Sequence, residues 1–253
     1  MWSIYDALIE KIPDSIKVTD CCCGKQWCYV KWDGGMGTAM CLSETSRPAI
    51  MPNGYIGASL KEVALCSKSW NLMEASLGVA AINAWYNVPK IKDNTSLKTA
   101  KNDGARDAFL TYQEAIAGKN VAVIGHFPHL EKRFNPICNL SILERCTQQG
   151  DYPDSACEYI LPNQDYVFIT GSALTNKTLP RLLQLSKNSQ TILVGPSVPL
   201  ATELFDFGVD SLEGFLVKDY EKSTHAIKEV FGPLLFSYGE MVSLEKGDYN
   251  YET

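Results

Sequence analysis

Three apolar runs that each end in glycine are followed by the polar residues most able to do chemistry. VAVIG (121–125), YVFITG (166–171) and TILVG (191–195) lead into GHFPH, TGSALTNKT and GPSVP. A glycine at a strand end permits a tight turn and close backbone approach. Hydroxyl and amide side chains beside a helix start leave N–H donors free for an anionic or polar ligand. The ligand-binding candidates are therefore Gly125, His126, Thr170, Gly171, Ser172, Thr175, Asn176, Gly195, Pro196 and Ser197. Helix capping is the competing role for the hydroxyl and amide members, which do this routinely. His126 is the candidate catalytic residue, because an imidazole, with an ordinary pKa of about 6.5, serves as acid, base or ligand.

Glu144 closes the run NLSILE, 19 residues beyond Gly125, about where an acidic side chain meets a ribose hydroxyl in dinucleotide sites. It joins the candidates, with an exposed strand-end carboxylate as the alternative. IGHFPH holds a single glycine and lacks the two that let pyrophosphate approach the backbone, so classical NAD or FAD binding is disfavoured. Pro128 separates His126 from His129, which removes the two-histidine helical zinc arrangement. His129 reads as a surface residue, and His225, in a charged helix, as surface or boundary. GPSVP and TGSAL each lack the second glycine of a hydrolase nucleophile elbow.

Cysteine is the compositional outlier: there are nine, and Cys21, Cys22, Cys23 and Cys28 fall within CCCGKQWC. The count is odd, the chain is long, and the N-terminus MWSIYDALIEKIPD is acidic and amphipathic, unlike a signal peptide. Reduced cytoplasmic thiols are thus a better reading than a disulfide framework. Thiolate zinc sites usually pair their ligands as C-x2-C, and that spacing is missing here. On a strand, Cys21 and Cys23 would face one way and Cys22 the other. Packing as small hydrophobes is the expectation for most of them.

The elements that must position these residues fall into two patterns. From residue 120 onward, continuous β-branched runs alternate with amphipathic segments at 179–187, 200–208 and 221–232, with a further strand at 213–217. That alternation predicts a parallel sheet covered by helices on both faces, whose ligands bind outside the carboxyl ends of the strands. Before it come a helix over 2–11, a three-stranded antiparallel meander within 16–42, helices over 58–67 and 70–86, and a polar break at 90–104. The expected fold is α/β in two domains: residues 1–110, α+β, and residues 111–253, doubly wound. The composition, with 45% hydrophobic and 21% charged residues, is that of an ordinary soluble globular chain. A net charge of −6 without a run of like charges argues against nucleic acid as a partner. No apolar stretch reaches the roughly 18 residues of a membrane span. A cytoplasmic protein with a small-molecule ligand is expected, and a homo-oligomer is left open.

ASLGVAAINAW (75–85), VAVIGHFP (121–128), ITGSALTNKTL (169–179), VGPSVPL (194–200) and FGVDSLEGFLV (207–217) together resemble the heavy-metal chelation family, whose function is unknown. The resemblance implies an enolase-N-terminal-like α+β domain followed by a Rossmann-like domain, with the site in the cleft between them. It implies a heavy metal or metal chelate as ligand, and chelator or cofactor metabolism as the setting. Carried over by motif, the pocket would draw on Asn83 together with His126 and the TGSALTN and GPS loops. A buried amide costs stability unless paired, so Asn83 either faces the cleft or braces the other domain. CCCGKQWC is not part of the family pattern, and the resemblance names no reaction.

Overall fold

The computed structural model describes residues 2–89, 97–99, 108–229 and 232–248. Helix α1 (Ser3–Glu10) buries Ile4, Tyr5, Leu8 and Ile9, one face of the predicted amphipathic segment. The meander follows as β1 (Asp20–Cys23), β2 (Trp27–Trp32) and β3 (Gly35–Met40), all antiparallel. A two-residue Asp33–Gly34 connection fixes the second hairpin, with Trp32 opposite Gly35. Helix α2 (Leu60–Leu65) starts in a capping box formed by Ser59 and Glu62. Helix α3 (Leu72–Tyr86) begins with the Asn71 side chain accepting from Glu74 N–H, and every residue from Glu74 to Ala84 is buried. A helix buried on all sides is apolar nearly all round, which is how this stretch reads apart from Glu74, Ser76 and Asn83, whose side chains are hydrogen-bonded. It lies so close on the meander that a Cβ at Gly37 would land on the backbone of Ala80 and Ala84.

The second sheet contains β4 (Lys98–Thr99), β5 (Asn120–Ile124), β6 (Asn139–Glu144), β7 (Tyr152–Pro153), β8 (Tyr166–Thr170), β9 (Gln190–Val194), β10 (Ser211–Val217) and β11 (Gly239–Glu245). Its order is β4-β11-β10-β9-β8-β5-β6-β7. Strands β5 to β10 are parallel, and β11 and β4 are antiparallel additions at one edge. Taken in chain order, the six parallel strands are arranged 3-2-1-4-5-6, the doubly wound Rossmann order, and the direction of winding reverses between β5 and β8. The helices of this half are α4 (Ala108–Thr111), α5 (Leu130–Phe134), α6 (Cys157–Ile160), α7 (Ser172–Thr175), α8 (Leu179–Leu185) and α9 (Tyr220–Lys228).

Residues 202–207 depart from the expected α-helix and form a 3-10 helix. Leu200, Ala201, Leu204, Phe205 and Phe207 all contact the core from this segment. Most of the polar break at 90–104 lies outside the described residues, and Lys98–Thr99 within it pairs with β11. No helix among the described residues is long and apolar enough to cross a membrane.

One hydrophobic cluster runs through both halves, joining Leu8, Val30 and Ile82 to Val198, Leu200 and Leu216. Buried amides cross the same boundary. Asn87 Nδ2 donates to Val198 O at 2.8 Å and Phe215 O at 3.2 Å, and Asn87 Oδ1 accepts from Leu200 N at 2.8 Å. Tyr5 donates its hydroxyl to Leu174 O at 2.7 Å.

A candidate metal centre in the interdomain crevice

The crevice lies outside the carboxyl ends of β5, β6, β8 and β9, at the point where the winding reverses. Two cavities share Gly125, Glu144, Thr170 and Ser172 in their linings. One, of about 490 Å³, is faced by Trp27 and Met40 of the meander and by His126, Phe127, Ser197 and Phe236. The other, of about 460 Å³, has Leu143, Leu182 and Leu185 beside Arg145, Asn176, Lys177 and Arg181. Its cations are occupied within the protein. Arg181 Nε donates to Glu158 Oε1 at 2.8 Å, and Lys177 Nζ donates to the carbonyls of Ser69 and Thr175. Burial pushes the Lys177 amine down to about 8.

Gly125 ends β5 with φ +103°, a conformation that favours glycine, and turns the chain so that His126 enters the crevice. His126 Nδ1 lies 3.0 and 3.1 Å from the two oxygens of Asp151, whose side chain is 1% exposed and also accepts from Gln148 N at 2.8 Å. A carboxylate only accepts, so Nδ1 carries a proton, and in the neutral ring the lone pair is on Nε2. Nε2 is 3.6 Å from Glu131 Oε1, in the first turn of α5. Ligand atoms of His126, Glu131 and Asp151 lie within 4.8 Å of one another, a spacing that could hold a metal ion. Asp151 in contact with the histidine, with Nε2 on the far side of the ring, is the orientation that a carboxylate–histidine–metal arrangement would use.

Glu144 has a different task from the ribose contact its spacing suggested. Its Oε2 accepts from His126 N at 3.0 Å, and its Oε1 from Arg145 N at 2.7 Å and Cys146 N at 3.1 Å. The carboxylate clamps two loops together and takes up the N–H that follows Gly125, the kind of donor a dinucleotide phosphate would need. The missing glycines and this clamp argue in the same direction, against pyrophosphate at this turn.

Thr170, Ser172, Gly195, Pro196 and Ser197 line the first cavity, and Asn176 lines the second. Thr170 and Ser172 share a hydroxyl–hydroxyl bond of 2.9 Å, and Ser197 Oγ accepts from Met40 N at 2.8 Å. Asn176 Oδ1 accepts from Thr178 N and Thr178 Oγ1, a local turn just before α8. Three candidates reach neither cavity. Gly171 packs against the backbone of Ser197 and Val198, and Thr175 is wholly buried with its hydroxyl unpartnered among the described residues. Asn83 is likewise wholly buried and donates to Thr38 O at 2.8 Å and Pro196 O at 3.3 Å, the bracing role of the two considered for it. His129 is exposed at φ +64°, and His225 is exposed beside Glu229. Glu131 and Asp151 carry no local sequence signal, since each sits in an ordinary polar segment.

The clustered thiols pack as the strand alternation requires. Cys21 and Cys23 contact the large core on one face of β1, and Cys22 contacts the Trp27–Phe215 cluster on the other. Burial pushes Cys21 and Cys157 up to about 11, and Cys28 and Cys66 higher still. Thiols held neutral in the fold ionise sooner when unfolded, so their stabilisation is present below about pH 9 and is lost as pH rises toward the folded values. Under reducing conditions the Tm is expected to fall by roughly 5–10 °C between about pH 8 and about pH 10, followed by circular dichroism.

A Rossmann-type sheet joined to an antiparallel meander, with a histidine–carboxylate cluster beyond the carboxyl end of β5, defines the class of this protein. The chain belongs to the family described as "Putative heavy-metal chelation": the DUF364 model matches residues 107–245, and the DUF4213 model, with the same description, matches residues 5–86. A crystal structure of a DUF364 protein of unknown function from Desulfitobacterium hafniense is 41% identical, covers 97% of this chain and 99% of that one, and has a TM-score of 0.90. Another, from Pyrococcus horikoshii, is 24% identical with a TM-score of 0.77 over 96% of this chain and 98% of that one, a likeness of fold. An uncharacterized protein of Methanocaldococcus jannaschii is 28% identical over 244 residues, 90% of each chain.

Proposed function

We propose that this protein binds a divalent transition-metal ion through His126 Nε2 and the Glu131 carboxylate, and that a small polar or anionic chelating ligand enters the adjoining cavity. The observation that carries the reading is the Asp151–His126 pair, which frees Nε2 toward Glu131 at 3.6 Å. The donors are an imidazole and carboxylates, which suit borderline cations such as Zn²⁺, Ni²⁺ or Fe²⁺ better than soft thiophilic ions. Among the described residues no three ligands that include a thiol come within reach of one ion; burial holds Cys21 and Cys28 protonated, and Cys23 is held so by its hydrogen bond with Cys41 together with burial. Storage or delivery of a metal chelate fits these features, and the chain's own residues orient and hold the ion.

Chelator-treated protein titrated with Zn²⁺ or Ni²⁺ in a calorimeter is expected to bind one ion. His126→Ala is expected to lose that binding. Asp151→Asn removes the acceptor that orients the imidazole and is expected to weaken it about 10- to 100-fold. The triple variant Cys21→Ser, Cys22→Ser, Cys23→Ser is expected to bind as the native chain does. Absence of stoichiometric binding, or its loss in the cysteine variant alone, would overturn the reading.

A further inference from the structure

The 490 Å³ cavity beside His126 has walls that speak to the ligand's shape and charge. Three aromatic residues reach it, held by two separate packed clusters. Trp27 and Phe236 meet edge to face with ring centroids 5.9 Å apart, and Phe236 is braced in turn by Phe215 at 5.7 Å. Phe127 comes from the other half and is held by Phe109 at 4.9 Å, also edge to face. Edge-to-face packing fixes the ring planes and leaves faces available for a further partner. Phe236 is 41% exposed, although its neighbours Trp27 and Phe215 are buried.

Charge is nearly absent from the lining. Among the described residues no lysine or arginine lines this cavity, and the carboxylate that does, Glu144, already accepts three backbone N–H bonds. A phosphate ester or polycarboxylate would find no cationic side chain here among those residues, so charge beyond that directed at the metal would be buried unpaired, which is costly. What remains polar is a short row of hydroxyls, Thr170, Ser172 and Ser197, together with His126 and the Gln26 amide. These groups can bond the edge of a flat molecule whose faces meet rings. Gly195, at φ +111°, adds no side chain, and a Cβ there would meet nothing within 4 Å, so the wall stays open beside Ser197.

We infer that the ligand of this cavity is a planar aromatic chelator carrying at most one negative charge, with adjacent donor atoms directed at a metal on His126 and its ring against Phe236 and Phe127. The inference rests on the metal reading given above and adds the class of the chelator. A pair of probes isolates the ring once each affinity is divided by that probe's affinity for free Ni²⁺ at the same pH, which removes the difference in nitrogen basicity: picolinate and glycinate both present one nitrogen and one carboxylate oxygen, and only picolinate is flat and aromatic.

Calorimetric titration of the Ni²⁺-loaded protein is expected to show picolinate binding at least about tenfold more tightly than glycinate after that division. Phe236→Ala is expected to reduce that preference severalfold, with Ni²⁺ affinity and glycinate affinity unchanged. Phe127→Leu, which keeps an apolar side chain against Phe109, guards against a folding defect and is expected to act in the same direction. Equal affinity for the two probes after that division, or a preference that survives both substitutions, would overturn the inference while leaving metal binding intact. Failure of Ni²⁺ to bind would instead overturn the metal reading, and with it the chelator directed at His126.

Discussion

Gly37→Ala is expected to destabilise the protein by about 4 kcal/mol or more, enough to unfold much of the population at moderate temperature. Gly37 lies in β3 directly against α3, and the added methyl would overlap Ala84 N, Ala80 O and the Asn83 backbone. These are backbone atoms of a fully buried helix and cannot turn aside. Relief requires lifting α3 off the meander, which would also draw Asn83 and Asn87 from their partners in the second half. Gly34→Ala is the internal contrast: its methyl would meet only the Trp32 ring, a side chain able to shift, so a cost under about 2 kcal/mol is expected. Urea unfolding of both variants reads the difference. A Gly37→Ala protein with native stability would contradict the close packing of these two elements.

Asn87→Ala carries the second large effect, through hydrogen bonding. Val198 O and Phe215 O would lose their donor and Leu200 N its acceptor, in a region buried from solvent. Leaving buried backbone groups unpaired costs about 1–3 kcal/mol apiece, and partial relaxation brings the expected total to about 3–5 kcal/mol. In a chain of this size that lowers the Tm by roughly 10 °C. The functional consequence is separate. Pro196 and Ser197, immediately before the braced residues, form part of the cavity wall, so slackening this segment loosens the crevice. Hydrogen exchange is expected to show faster exchange of the Leu200 amide at temperatures where the variant is still folded. Protection equal to the native level would show that another contact holds the segment.

Much of the fold is legible in the residues because it rests on local periodicity. The runs at 121–125, 166–171 and 191–195 are strands β5, β8 and β9, and the alternation of CCC predicts which thiol meets which core. Strand β11 was not evident. It follows an irregular apolar stretch, and what makes GEMVSLE a strand is its pairing with β10, a contact distant in sequence. The expected helix at 200–208 is a 3-10 helix over residues 202–207, a tightening that its apolar spacing does not encode.

For the site, the sequence alone determined the line of glycine-ended strands, and therefore where a crevice must open and that His126 stands at it. Local rules suffice for this, since strand ends and tight turns are written within a few residues. Only the tertiary structure decided the chemistry. Asp151 and Glu131 become partners of His126 because β6 with its following loop and the first turn of α5 converge on the end of β5. The same convergence makes Glu144 a clamp on backbone N–H groups, and the approach of α3 to Thr38 and to the segment after β9 gives the Asn83 amide its two acceptors. Distances between side chains on different elements depend on how the whole chain packs, and no spacing along the sequence encodes them.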